Sequence, residues 1–308
     1  MDMYQKRKMR QEKKKDDSSK SFPSVGINWY PGHMAKTKRL IKENLKYIDI
    51  IYEVVDSRMP KSSKLIDIDD YTQTKPRLMI MTKYDLCDKD ETNKWIKYYE
   101  KLGYIVVPIN LENNANVKPV ITATEKLLKK LDEQRESKGL LKRKARVLVV
   151  GVPNVGKSTL INRLAGKKVT SIGNKPGVTK NISWIRVNDK IELLDTPGIL
   201  WPKLDAKEAL NLAALTSIKE ENLPLFDVAS HILCTIEKYY PDKLKERYNL
   251  DALDEDIVIS MEEIGKKRGC LIRGGNIDYD KVISLIIGDI KNGFIKDITF
   301  DRIDENGY

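Results

Sequence analysis

Gly151-Val-Pro-Asn-Val-Gly-Lys-Ser158 is the stretch that decides the fold. It has the spacing of a phosphate-binding loop: a glycine, four residues, then Gly-Lys-Ser. Arg146-Val-Leu-Val-Val150 precedes it, an apolar, β-branched run that predicts a buried strand. Ser158 to Ala165 follows with helical spacing and a stop at Gly166. Strand, loop and helix in this order aim the free N–H groups of a helix N-terminus at an anion. Gly151 and Gly156 let backbone approach a phosphate where a Cβ would collide. In this reading Asn154, Val155, Gly156, Lys157, Ser158 and Thr159 line a nucleotide's phosphates. Lys157 reaches the β and γ oxygens, and the Ser158 hydroxyl is a ligand for Mg²⁺. The alternative is a glycine-rich turn with a chance lysine.

The surrounding chain suits an intracellular nucleotide-binding protein. Its 308 residues are enough for two domains, and 41% apolar with 33% charged residues is a soluble, core-forming balance. No apolar run has the length of a membrane helix, and the basic N-terminus lacks the apolar stretch of a secretory signal. Cys87, Cys234 and Cys270 have no pairing or ligand spacing; they read as packing residues in a reducing cytosol. The net charge is +11, with nine Lys or Arg and no Asp or Glu between Lys138 and Lys168. That excess favours a polyanion partner, RNA or DNA, over a neutral metabolite. The competing explanation is a solvated lysine-rich surface.

Taken in order, residues 1–26 form a basic, disordered tail. Trp29-Tyr-Pro-Gly-His-Met34 is an aromatic turn ahead of a basic helix over 34–47. Strands are expected at 50–55, 77–81, 104–109 and 146–150, and helices at 91–102 and 117–136. Residues 182–187 and 191–194 pair through Asn188-Asp189 as a hairpin. The fold class is α/β: a six-stranded, mainly parallel sheet covered by helices, with one antiparallel edge, over residues 27–204. Beyond Trp201-Pro202 the pattern turns helical, at 206–220, 225–239, 242–248, 256–267 and 278–292. A second, helical domain over 205–308 follows, with Phe294 to Phe300 as a candidate last strand.

Three further motifs fall at carboxyl ends of strands or beside the phosphate loop, where such sheets bind ligands. Asp195-Thr-Pro-Gly198 suits a γ-phosphate-sensing loop: Asp195 on the metal's water, the Gly198 N–H on the γ-phosphate. As an isolated tetrapeptide it could be a plain turn. Thr82-Lys83-Tyr84-Asp85 suits base recognition. The Asp85 carboxylate accepts from the guanine N1–H and exocyclic amine, whereas adenine offers neither donor at those positions. The Lys83 stem lies along the base plane. Thr82 stands where such loops usually carry Asn, so a weaker brace to the phosphate loop is expected. Thr179 in Lys175-Pro-Gly-Val-Thr179 is a candidate second Mg²⁺ ligand, with Thr170 as a competitor. The base motif precedes the phosphate loop, the reverse of the ordinary order. A domain whose termini are neighbours retains its sheet when the chain is cut and rejoined this way.

Together with Asn28-Trp-Tyr-Pro-Gly-His-Met-Ala-Lys36, Asp195-Thr-Pro-Gly-Ile-Leu-Trp-Pro202 and Arg268-Gly-Cys-Leu-Ile-Arg-Gly-Gly275, these motifs resemble the circularly permuted GTPases. The similarity is greatest to the ribosome biogenesis GTPase A family, and it covers nearly everything from residue 27 onward. It implies GTP hydrolysis linked to late assembly of the large (50S) ribosomal subunit, and an RNA-binding helical domain at the C-terminus. It assigns Asn110 and Leu111 to the fifth, guanine-contacting loop. Ile199 follows Gly198 where many GTPases place a water-orienting Gln, and the resemblance points to His33 for that role, which a neutral imidazole suits. Helix capping or rRNA contact are the alternatives for His33. Asn154 resembles the K⁺ ligand of potassium-activated relatives, or else braces its loop. The expected partners are GTP or GDP and the large subunit with its rRNA; no membrane is involved. The protein is expected to be cytoplasmic and monomeric off the ribosome. A nucleotide-gated RNA-binding module with negligible hydrolysis is the alternative. A phosphate-loop kinase is disfavoured, because it needs neither Asp195-Thr-Pro-Gly198 nor Lys83-Tyr-Asp85.

Overall fold

The computed structural model describes residues 32–65, 72, 75–112, 116–169, 183–198, 204–215, 217–218 and 224–303. Six strands form one sheet: β1 (Ile50–Asp56), β2 (Arg77–Thr82), β3 (Ile105–Pro108), β4 (Ala145–Val150), β5 (Ser183–Arg186) and β6 (Ile191–Asp195), in the order β3-β2-β1-β4-β6-β5. Every neighbouring pair is parallel except β5 with β6, the expected antiparallel edge. β1 is buried along its whole length, as a near-continuous apolar strand covered on both faces must be. It lies between β2 and β4, with Asp56 opposite Thr82 and Glu53 opposite Val150. The loops leaving β2 and β4 therefore emerge on either side of β1 at one edge of the sheet. The central position of β1 is what brings two motifs, some seventy residues apart in sequence, to one place.

The helices are α1 (Gly32–Asn44), continued by a 3₁₀ turn at Leu45–Tyr47, α2 (Lys89–Lys101), α3 (Lys118–Glu136), α4 (Lys157–Ala165) and α5 (Ala206–Ala214). After them come α6 (Leu225–Tyr239), α7 (Pro241–Tyr248), α8 (Ile257–Arg268) and α9 (Tyr279–Lys291). Their starts follow capping chemistry: Asp88, Asp205, Asp256 and Asp278 each accept a backbone N–H from the first turn. Gly166 and Gly269 close α4 and α8 in the left-handed conformation. No helix among the described residues is long and apolar enough to cross a membrane. Cys87 and Cys270 are buried, but Cys234 is on the surface and is not a packing residue.

The chain divides into two compact units. Among the described residues, one holds the sheet, α1 to α5 and the final segment 296–303; the other is the helical stretch 224–295. This division differs from the expected boundary after residue 204, and hydrogen bonds explain why. On α5, Asn211 donates to the Ser62 hydroxyl and the Asp301 carboxylate. Past its end, Ser217 donates to the Pro153 carbonyl. The Ser217 N–H turns back to Leu212, so α5 ends at Ala214, earlier than the expected residue 220. Nor is Phe294 to Phe300 a strand. The Asp297 and Phe300 N–H groups bond to the carbonyls of Leu86 and Arg58, loop positions that offer no ladder. In the helical unit, Gly265 lets α8 approach α9 closely; a Cβ there would lie 2.8 Å from a Val282 methyl. His231 is buried in α6, as expected of a structural histidine.

The final segment therefore belongs to the core of the sheet unit. Trp95 on α2 donates its indole N–H to the Asp301 carbonyl at 3.2 Å, and Phe300 is fully buried. Removing that ring leaves a cavity the neighbouring backbone closes only in part. Phe300→Ala is expected to cost about 3 kcal/mol of unfolding free energy in urea. A cost below about 0.5 kcal/mol would show that the segment is an appendage.

Candidate nucleotide site

The phosphate-loop sequence forms the loop its spacing predicts. Gly151 leaves β4 against β1: a Cβ there would lie 2.4 Å from the Val54 carbonyl oxygen, so no other residue fits. Asn154 and Gly156 both adopt positive φ, +61° and +94°. Gly156 is the N-cap of α4 and, lacking a side chain, leaves the helix N-terminus open to an external anion. Lys157 is buried, and its ammonium donates to the Gly151 and Val152 carbonyls at 3.0 and 2.8 Å. Burial lowers its pKa to about 8, partly opposed by the Asp195 carboxylate. Ser158 and Thr159 are half-buried in the first turn of α4.

The Thr82–Asp85 loop leaves β2 and reaches the phosphate loop directly. Thr82 Oγ1 lies 2.6 Å from the Val155 carbonyl and 3.1 Å from that of Val55, so its one proton is held between the two. The brace expected to be weak in a threonine is present, through a hydroxyl where an amide is usual. Lys83, at φ +55°, sends its ammonium to the Asn154 carbonyl at 3.0 Å. The same ammonium pairs with Asp56 at 2.9 Å. Asp85 is half-buried and close enough to Lys83 for its charge to favour that ammonium. Tyr84 is tied to the neighbouring loop by its N–H on Ile109, and its hydroxyl donates to Asn93. Leu111 is buried, and its methyl lies 3.4 Å from where a Gly156 Cβ would stand. Asn110 is exposed and accepts from the Glu112 N–H at 2.7 Å, which shapes its own loop. The structure thus joins Thr82 to Asp85, Leu111 and Asn154 to Lys157 at one place.

Asp195 ends β6 opposite Val149 and is 1% exposed. The Thr196 hydroxyl on the Val149 carbonyl, at 2.7 Å, fixes the loop's departure. Gly198 then passes so close to the phosphate loop that a Cβ would lie 2.7 Å from both the N and Cα of Pro153. His33 falls in the first turn of α1, which begins at Gly32 rather than at residue 34; its side chain lies outside the described part of the structure. Thr179, Ile199 and Leu200 are outside it altogether.

Two features of the site escaped the sequence reading. Asp56, at the carboxyl end of β1, is buried with Arg58, which meets it through Nε at 3.1 Å and Nη2 at 3.0 Å. Burial alone would raise the Asp56 carboxyl; Arg58 and Lys83 overcome it and hold the group well below the usual carboxylate range. Asp56 therefore fixes where the Lys83 ammonium sits. The available signal was Asp-Ser-Arg at the end of an otherwise apolar strand. The second feature is Ser217, whose hold on Pro153 carries no local pattern.

The Lys157 environment makes stability depend on pH. Its pKa falls from an ordinary 10.5 to about 8 on folding. Between those values the unfolded chain holds more protons, so raising the pH favours the folded state, by up to about 3 kcal/mol. Compared with Lys157→Met, the nucleotide-free protein should gain stability in urea between pH 8 and 10. Parallel pH profiles for the two proteins would contradict the burial of that charge.

Comparison with known proteins agrees with this geometry. Residues 146–268 match the family described as 50S ribosome-binding GTPase, and residues 34–205 match the RsgA GTPase family. The ribosome biogenesis GTPase A of Bacillus cereus is 45% identical over 282 residues, 91% of this chain and 95% of that one. The protein of the same name from Thermotoga maritima is 31% identical, over 90% of this chain and 94% of its own. Among solved structures, GDP-bound YlqF superposes with a TM-score of 0.61 at 26% identity, over 86% of this chain and 99% of that one. GNP-bound YlqF from T. maritima gives 0.59 at 27% identity, over 87% and 98%. The sheet with its phosphate loop is a GTPase fold, and the chain belongs to the ribosome biogenesis GTPase A family of GTP hydrolases.

Proposed function

We propose that this GTPase acts in late assembly of the large ribosomal subunit, in the cytoplasm, binding rRNA partly through its helical unit. Off the ribosome it is a monomer. The observation that carries the reading is the tie between a base-recognition loop and a phosphate loop, made by Thr82 on Val155 and Lys83 on Asn154. A ligand reaching from one loop to the other is a purine nucleotide with phosphates. Asp85 accepts the guanine N1–H and amine, and Asn110 and Leu111 complete the base side. The amides of Asn154, Val155, Gly156, Lys157, Ser158 and Thr159 take the phosphates, and Lys157 exchanges its loop carbonyls for the β and γ oxygens. The Gly198 N–H meets the γ-phosphate, which makes its loop a sensor of hydrolysis.

Mg²⁺ fits these residues. Ser158, Thr179 and Asp195 offer hard oxygen donors. Among the described residues there is no dense carboxylate or histidine cluster of the kind that would hold a metal without phosphates. When bound, Mg²⁺ neutralises charge on the β- and γ-phosphates. Asn154, held at positive φ in the loop, is the proposed ligand for K⁺, which adds positive charge beside the γ-phosphate. His33 orients the attacking water, because the residue after Gly198 is Ile199, which cannot hydrogen-bond one. Turnover in isolation is then slow and rises on the ribosomal particle.

The polyanion partner is supported by the surface of the helical unit. α8 ends in Lys266, Lys267 and Arg268, all exposed, and runs into a turn bridged by Leu271 and Ile277. The tip of that turn exposes Leu271, Ile272 and Arg273.

Co-sedimentation with large ribosomal subunits tests the proposal most broadly. The protein is expected to pellet with the subunit in the presence of a non-hydrolysable GTP analogue and to be released with GDP. Lys157→Ala is expected to lose nucleotide binding and the difference between the two nucleotides. Nucleotide-independent pelleting, or none, would overturn the reading. His33→Ala should retain GTP affinity and lose most particle-stimulated hydrolysis; hydrolysis at the parental rate would remove His33 from the mechanism.

A further inference from the structure

A buried knot of side chains joins three segments that the sequence keeps far apart. Asp301 lies in the final segment and is almost wholly buried. Its Oδ2 accepts the N–H groups of Lys61 and Ser62, at 2.8 and 2.7 Å, in the loop after β1. Its Oδ1 accepts from the Ser62 hydroxyl at 2.6 Å and from the Asn211 amide at 3.0 Å. That Asn211 nitrogen also donates to the Ser62 oxygen at 3.0 Å. Asn211 and Ser62 are themselves buried. Four donors on one carboxylate make a satisfied anion, and a satisfied buried network holds its members in one arrangement.

What the knot holds lies on both sides of the nucleotide site. α5, which carries Asn211, is the first described helix after the Asp195–Gly198 loop, and Ser217 just beyond it grips the Pro153 carbonyl in the phosphate loop. The final segment also accepts position from the base side: Asp297 and Ile298 donate to the Leu86 carbonyl, one residue after Asp85. Phe300 donates to Arg58, the partner of Asp56.

We propose that Asp301, with Ser62 and Asn211, is a positioning group for the γ-phosphate-sensing loop. It fixes α5 to the base side of the site, so that the Asp195–Gly198 loop is held at the distance from Pro153 that a triphosphate needs. It touches neither nucleotide nor metal; it acts through α5. The inference rests on the reading of Gly198 as the γ-phosphate contact. Loss of the knot loosens α5, which keeps its buried apolar face, and penalises the triphosphate state, while the base loop and the phosphate loop, joined by Thr82 and Lys83, continue to hold a diphosphate.

The test is the ratio of affinities for a non-hydrolysable GTP analogue and for GDP, measured on the full chain by displacement of a fluorescent nucleotide. Asn211→Ala removes the hydrogen bonds that tie α5 to the knot, leaving Asp301 on Ser62 and Lys61 and the half-exposed Lys61–Glu208 ion pair in place. It is expected to leave GDP affinity within about twofold and to weaken the analogue on the order of tenfold, with single-turnover hydrolysis slowed by a similar factor. Asp301→Ala should do the same at a larger cost in stability. The double variant should lose no more in the ratio than Asp301→Ala alone, since the two residues share one contact. Arg302→Ala is the control for a structural role: Arg302 holds the same segment to Asp88 and Glu91 on α2, away from α5, so its loss should lower stability and leave the ratio unchanged. If Asn211→Ala shifts the ratio no more than Arg302→Ala, the knot is merely structural. Gly198→Ala separates the two ideas. Should it too leave the ratio unchanged, the γ-phosphate reading itself fails; should it shift the ratio while Asn211→Ala does not, only the positioning role fails.

Discussion

The Thr82 hydroxyl on the Val155 carbonyl, and the Lys83 ammonium on the Asn154 carbonyl, join two loops that belong to separate stretches of chain. Everything proposed for the site depends on that junction. Each loop has ties of its own, the turn after β2 through the Tyr84 N–H on Ile109 and the arc after β4 through Lys157 on the Gly151 and Val152 carbonyls, but these do not join one loop to the other. Pairing both strands with β1 brings them side by side, and the two hydrogen bonds set the spacing between the loop that carries Asp85 and the N-terminus of α4. Asp56 serves the junction from below. Its pairing with Arg58 makes a fixed, buried anion, and that anion decides where the Lys83 ammonium lies. The permuted order of motifs is no obstacle, because the sheet specifies adjacency in space and is indifferent to which loop comes first along the chain.

A second consequence of permutation concerns the far end of the domain. The Asp195–Gly198 segment is followed in the chain by α5 and then by the helical unit, and the chain later comes back to the sheet unit for residues 296–303. The return closes the sheet unit with Phe300 and Asp301. Segments leaving and rejoining the sheet unit therefore meet at one buried carboxylate, so the exit and the re-entry of the chain are mechanically joined. Hydrogen bonds inside a protected network of this kind are stronger than their exposed counterparts, and a broken one leaves a buried polar group with nothing to satisfy it.

Much of this was legible from the sequence where the signal is local. The apolar runs at 50–55, 77–81 and 146–150 lie in strands, each one residue longer in the structure, because β-branched and aliphatic residues fit a sheet buried on both sides. The phosphate loop was legible because glycines at 151 and 156 are demanded by backbone approach and by φ. The helical unit was legible through its helical spacing and the Pro and Gly residues that interrupt it, such as Pro241 and Gly269. Illegible features were those made by long-range partners. Asp56 read as the end of a strand, since nothing nearby announces that Lys83 and Arg58 converge on it. Phe294 to Phe300 has the apolar content of a strand, but a strand requires a neighbouring strand, and its N–H groups bond instead to a carbonyl in the last turn of α9 and to loop carbonyls. α5 was assigned to the helical domain because it is a helix; Asn211 and Ser217, two polar residues with no pattern of their own, assign it to the sheet unit. That Thr82 reaches the Val155 carbonyl was illegible for a related reason: whether a hydroxyl braces depends on how near the facing carbonyl comes.

The most direct measurement of the central claim is a change of base preference at Asp85. Asparagine presents a donor where aspartate presents an acceptor, and xanthine presents a carbonyl where guanine presents its amine. If the carboxylate and the phosphate loop serve one pocket, Asp85→Asn should lose GTP affinity by orders of magnitude and gain affinity for xanthosine triphosphate, with Lys157 still required for both. An Asp85→Asn protein that binds GTP as the parent does, with no response to the xanthine nucleotide, would contradict the account.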